Sequence, residues 1–162
     1  LVWGGGVMAD RPSSRWFVAG RIGRFADTGR RVFVLNDSVF DLGIPTAVSI
    51  TPVEATVGYR LGTRPAGRRV VSIPYVAGGV GWHLYREGSA EPDGDGTRKM
   101  FTGLHVIAGV ERPLGRRLTG AAEVQWSAVP HAIGAETGSV GALFDEHDLG
   151  GLIVRARVIL GQ

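Results

Sequence analysis

The stretch LGGLIVRARVIL, Leu149–Leu160, decides the fold. Leu152, Val154, Ala156, Val158 and Leu160 fall on one parity, and Arg155 and Arg157 fall on the other. A period of two marks an extended strand whose two faces meet different surroundings, whereas a helix would spread the same residues around its circumference. The preceding segment repeats the rule, with Ala122, Val124, Trp126 and Ala128 opposing Glu123, Gln125 and Ser127. Further back, Leu104, Val106, Ala108 and Val110 oppose Gly103, His105, Gly109 and Glu111. Val76, Val80, Trp82 and Leu84 oppose Tyr75, Gly79, Gly81, His83, Tyr85 and Glu87. Val53, Ala55, Val57, Tyr59 and Leu61 oppose Glu54, Thr56, Gly58 and Arg60.

Extended to the whole chain, this period predicts an all-β protein of about seven strands. They run from Leu1 to Met8, Arg15 to Ala26, Thr46 to Leu61, Val70 to Glu87, Met100 to Leu114, Leu118 to Val129 and Leu149 to Leu160. Several exceed the usual strand length of about 5 to 6 residues and reach the roughly 9 to 11 that a tilted membrane crossing needs. The connections alternate as well. ADRPSSR, LGTRPAGRR and RPLGRR are short and basic, while TGRRVFVLNDSVFDLGIP, EGSAEPDGDGTRK and PHAIGAETGSVGALFDEHD are long. Short turns at one end and long loops at the other describe an antiparallel up-and-down transmembrane β-barrel. Because such barrels have an even strand count, the expectation is about eight strands, the first missing from this chain together with any signal peptide. A separate short strand at Val32 to Leu35 is the alternative source of the eighth. Pro52 is expected to mark a bulge, since apolar parity switches there from Val48 and Ile50 to Val53 and Ala55.

Composition excludes other classes. Of 162 residues 26 are glycine, without the every-third-residue spacing of collagen. There is no cysteine, which removes disulfide frameworks and thiolate chemistry. No apolar run reaches the roughly 18 residues of a spanning helix. The net charge of +3 rests almost wholly on arginine, with Lys99 the sole lysine. These arginines are scattered and not interleaved with aromatics, so no nucleic-acid partner is expected.

Alternation alone does not say which face is inside. The polar face decides, because it combines glycines with isolated acids and arginines and lacks the lysines of a solvated surface. A narrow barrel interior needs small residues for space and carboxylate–guanidinium pairs to offset burial. Glu54, Arg60, Glu111, Glu123, Arg155 and Arg157 are therefore expected to form an interior ion-pair network. Trp16, Trp82, Trp126, Tyr59 and Tyr85 lie near strand ends, where they read either as an interfacial aromatic belt or as ordinary core aromatics.

The segments SITPVEATVGYRLG, IPYVAGGVGWHLYRE, GLHVIAGVERPL, AAEVQWSAVP and DLGGLIVRARV resemble the C-terminal strands of small bacterial outer-membrane barrels, the OmpA-like or OmpX-like β-barrel domain group. The likeness covers Thr46 to Leu160 and, more weakly, Leu1 to Phe25. Its most specific piece is PYVAGGVGW, a proline and an aromatic leading into alternating glycines. The resemblance implies residues 1–162 as one outer-membrane β-barrel domain in a Gram-negative cell, in contact with lipid bilayer and lipopolysaccharide and handled by the outer-membrane assembly machinery. It implies no enzymatic activity and no cofactor. The chain departs from the group at its end, ILGQ, where an aromatic residue is usual.

The expected function is structural or loop-mediated interaction without a wide pore, because an eight-stranded barrel is filled by its own side chains. The external ligand and oligomeric state stay open. Two other readings place the chemistry differently. A soluble lipocalin-like barrel would turn Trp82, Trp126 and Val154 inward onto a hydrophobic ligand and leave Arg155 and Glu123 in water. A lipid-modifying barrel enzyme would use Ser127 with His131 and Glu123. His83 and His105 are inward neighbours without the ligand spacing of a zinc site, and His131 and His147 are read as loop residues. EPDGDG and FDEHD are oxygen-rich loop stretches of the kind that binds calcium or bridges lipopolysaccharide through divalent ions, but EPDGDG lacks the full calcium-loop pattern, so they are read as solvated turns. Gly4 to Gly6 is no phosphate loop, because neither a helix start nor Gly-Lys-Ser follows it.

Overall fold

The computed structural model describes residues 2–11, 14–35, 38–62, 71–89, 97–115, 117–130, 132 and 148–161. Seven strands follow in order: β1 Val2–Asp10, β2 Trp16–Leu35, β3 Ser38–Arg60, β4 Ile73–Ser89, β5 Thr97–Pro113, β6 Leu118–Ala128 and β7 Gly151–Leu160. Each pairs antiparallel with its sequence neighbour, giving one up-and-down sheet in the order β1 to β7. No helix occurs among the described residues. The chain is an all-β, barrel-like protein.

Contacts across the concave face show how far the sheet curls. Arg21 on β2 reaches Glu123 on β6 at 3.1 Å, and Glu54 on β3 lies 3.5 Å from Arg155 on β7. Strands four apart in the sheet order meet only if the sheet bends back on itself. Glycine makes the bend possible at particular points. A Cβ on Gly58 or on Gly109 would collide with the ring of Phe17 or Tyr75, which lies over it from the paired position of the adjacent strand. A large ring covering a facing glycine fills the interior while the backbones stay close. The two rings meet edge to face at 5.6 Å, and with Ile107, Met8 and Ala77 they form the interior apolar cluster.

The polar parity is inside. In β6 the buried positions are Ala121, Glu123, Gln125 and Ser127, and the exposed ones are Ala122, Val124 and Trp126. The same division runs through β5, where Gly103, His105, Ile107 and Glu111 are buried and Leu104, Val106, Ala108 and Val110 are exposed. Val154 is 74% exposed and Glu123 is 2% exposed, the reverse of the arrangement a lipocalin-like carrier requires.

Three expectations are corrected. The stretch read as a loop around Val32 to Leu35 continues the β2–β3 hairpin, with Val32 opposite Asp41 and Leu35 opposite Ser38, so it is no separate strand. The register shift lies between Arg30 and Val32, not at Pro52, where β3 passes His83 of β4 without interruption. Pro52 is accommodated because Gly23 opposite it leaves room for the ring. The β2–β3 pairing also runs from Ile22↔Val53 to Phe25↔Ile50 in unchanged register, so parity is kept and Val48 and Ile50 fall inside with Glu54. What changes near Pro52 is the chemistry of the interior along its axis. Finally, Tyr85 shares the inward parity of His83 and Glu87 and donates to Glu87 at 2.9 Å, so it is no part of an outer belt.

Candidate functional site

The six expected interior residues are gathered into two neighbouring clusters. The first lies toward the short-turn end. Arg60, the last residue of β3, bonds Glu111 of β5 through Nε at 2.5 Å and Asp10 of β1 through Nη1 at 2.7 Å. Its guanidinium also lies 5.0 Å above the Phe17 ring. A planar guanidinium suits this position, because its in-plane N–H groups reach two carboxylates while its face rests on an aromatic quadrupole. Asp10 escapes sequence reasoning because it ends its strand beside a turn, where an acid is ordinarily solvated.

The second cluster is centred on Glu123, whose side chain is fully enclosed. Its carboxylate accepts from Arg157 Nη2 at 2.6 Å, from Arg21 Nη1 at 3.1 Å and from the hydroxyl of Tyr75. Arg155 Nε stands 3.5 Å from the same group, and Arg155 Nη1 is 3.5 Å from Glu54. Gln125, wholly buried, joins the two acids: its amide nitrogen donates to Glu54 at 2.7 Å and to Ser127 Oγ at 2.9 Å, and its carbonyl oxygen accepts from Arg155. Arg157 also donates to the Tyr75 hydroxyl at 3.0 Å. Multiple charge-assisted bonds on one enclosed carboxylate are what offsets the desolvation of so many ions. Arg21, Tyr75 and Gln125 were not among the expected members. Arg21 carried a signal, since its neighbours Ala19 and Gly23 share its parity and leave it isolated among small residues.

The remaining interior polar groups continue the network along the wall. His105 Nε2 and Thr56 Oγ1 are 2.9 Å apart, and His105 is the register partner of Ser127. Ser127, the proposed nucleophile of the enzyme alternative, is buried and accepts from Gln125. His131 and His147 lie outside the described residues, as does EPDGDG and nearly all of FDEHD. Asp148, the last residue of FDEHD, accepts from the backbone N–H groups of Val129 and Gly150, each at 2.6 Å, and so ties the start of β7 to the end of β6. His83 and His105 both face inward, and no grouping of three metal-ligating side chains occurs among the described residues. Gly4 and Gly6 sit on β1 where a Cβ would strike the backbone of β2, which is a packing role.

The outer wall is dominated by apolar and aromatic side chains, with Arg24, Arg86, Arg98 and Arg112 also exposed on the outward parity. Trp16 and Tyr59 stack edge to face at 5.0 Å near the short-turn end, and Trp3, Trp82 and Trp126 stand outward farther along their strands. Between them lie Val7, Val18, Ile22, Val57, Val76, Val80, Leu104, Val106, Val124 and Val154, all exposed. No family model, no curated protein and no solved structure matches this chain, so its function is argued from these two faces alone.

Proposed function

We propose that this chain forms the wall of a transmembrane β-barrel in a bacterial outer membrane, of the OmpA-like or OmpX-like kind, with a structural or loop-mediated role and no catalytic chemistry. The observation that carries the reading is the inversion of the two faces. Large apolar side chains stand on the convex surface of every described strand, while Glu54, Arg60, Glu111, Glu123 and Gln125 are enclosed. Water disfavours a continuous apolar exterior of this extent, whereas an acyl-chain environment is matched by it. Antiparallel strands also satisfy their backbone groups along each paired ladder, which hydrocarbon requires. The filled interior at the short-turn end, with Phe17, Tyr75, Ile107 and the Arg60 cluster, supports a barrel without a wide pore.

The test uses the absence of native cysteine. Single cysteines at Val106, outward on β5, and at Ser127, inward on β6, are labelled with an environment-sensitive fluorophore, and the protein is refolded into vesicles of brominated phospholipid. The expected result is strong quenching by the acyl-chain bromines at Val106 and little at Ser127. A protein that stays monodisperse in buffer without lipid or detergent, with no quenching at Val106, would overturn the reading.

A further inference from the structure

We infer that the seam between β1 and β7 is an acceptor site for one additional β-strand, supplied by a polypeptide segment outside residues 1–162 and carrying an inward-facing carboxylate. Four observations lead there. Among the described residues the sheet ends at β1 and β7, and no pairing joins them. Seven up-and-down strands leave those two edges running in the same direction, so direct closure would need a parallel pair in an otherwise antiparallel sheet. One strand running opposite to both restores the alternation on each side and removes two open edges at once.

The second observation is the groove. A cavity of about 2100 Å³ runs along the concave face and is bordered by both edges, with Gly4, Gly6 and Met8 on one side and Ile153, Arg155 and Arg157 on the other. Third, the outward side chains of the edges are the barest on the wall. Val7, Val154 and Leu160 are 79%, 74% and 80% exposed, against 55% for Val106 and 43% for Val124, which have a strand on either side. The difference is the cover that a missing neighbour would provide.

The fourth observation sets the chemistry of the occupant. Arg21, Arg155 and Arg157 all line this groove, and in each the Nε–H is buried and makes no hydrogen bond, Arg155 Nε standing 3.5 Å from Glu123. Among the described residues two carboxylates, Glu54 and Glu123, stand around them, so three guanidinium groups meet two acids at this level. Arg60, beside Asp10 and Glu111 in the other cluster, has no such orphaned donor. Buried donors without acceptors are costly, and an incoming carboxylate supplies both the charge and the lone pairs. A second copy of this chain does not fit. Its β7 edge would bring Arg155 and Arg157 against the same arginines, and its β1 edge offers Gly4 and Gly6 at that level.

The inference concerns the edges and holds whether lipid or detergent covers the outer wall, so it fails separately from the membrane reading. The chain refolded in detergent is mixed with a synthetic ten-residue peptide that alternates valine with serine, has glutamate at one central serine position and carries one cysteine at a valine position. Single cysteines are placed at Gly5 on β1, at Ala156 on β7 and at Val106 on β5. Disulfide trapping is expected at Gly5 and Ala156 and not at Val106, and the glutamate peptide should bind at least about tenfold tighter than its lysine counterpart. Trapping at Val106 equal to that at the edges, equal binding of the two peptides, no binding at all, or a dimer that blocks both edges would each overturn the proposal.

Discussion

At the residue scale, Glu123 organises the interior, because three arginines, a tyrosine and no water-facing surface define its surroundings. Replacing it by glutamine keeps the shape and removes the charge, leaving Arg21, Arg155 and Arg157 with Glu54 as their one acid. Breaking a buried ion pair by neutralising one partner costs about 3–5 kcal/mol, so Glu123→Gln is expected to lower unfolding stability in urea, measured in detergent, by that order. Glu87→Gln, beside Tyr85 in a more open part of the wall, should cost under about 1 kcal/mol in the same assay. Equal losses for the two would show that enclosure of Glu123 does not set its contribution. The acidic and basic members on the polar parity were legible from sequence because each stands alone among small residues. Arg21 and Asp10 were missed since their partners, Glu123 at a separation of 102 residues and Arg60 at 50, come from strands that only the curl brings near.

At the scale of the strand pair, the ring-over-glycine contacts decide how closely neighbours approach. Gly109 lies under Tyr75, whose hydroxyl also donates to Glu123. A methyl group at Gly109 must displace the ring and with it that hydrogen bond, and overpacking of this kind costs about 1–3 kcal/mol. Gly109→Ala should therefore destabilise the protein by that amount, while Gly5→Ala, with open space around its Cβ position, should change stability by less than about 0.5 kcal/mol. Thermal melts of the two variants in detergent make the comparison. The strands themselves were legible from their period of two, with ends displaced by a few residues. The β2–β3 extension was not, because RRVFVLNDSVF carries polar and turn-forming residues that read as a loop, and it pairs beyond a register shift between Arg30 and Val32 that no local pattern marks. Pro52 misled for a related reason: a change of apolar parity looks like a bulge in sequence, but here the strand keeps its face and the interior turns from ionic to apolar.

At the scale of the whole molecule, the two faces make opposite demands on solvent. A charge placed on the outer wall has no cost in water but should cost about 2–4 kcal/mol near a bilayer midplane. Val106→Arg, on a central strand with Val76 and Val80 nearby on the same face, is thus expected to reduce stability in phospholipid vesicles by that order. Urea titrations in vesicles provide the measurement, and an unchanged midpoint would argue against lipid contact at this position. The residue pattern by itself determined that the chain is all-β, that its strands are amphipathic and that Glu54, Arg60, Glu111, Glu123, Arg155 and Arg157 fall on the polar parity, because a period of two is a local property of an extended backbone. The composition of that parity already pointed it inward, and only the tertiary structure decided that the network divides between Arg60 and Glu123 and that β1 and β7 border an open seam. Those facts depend on which distant strands the curl of the sheet brings together, and no local pattern encodes that.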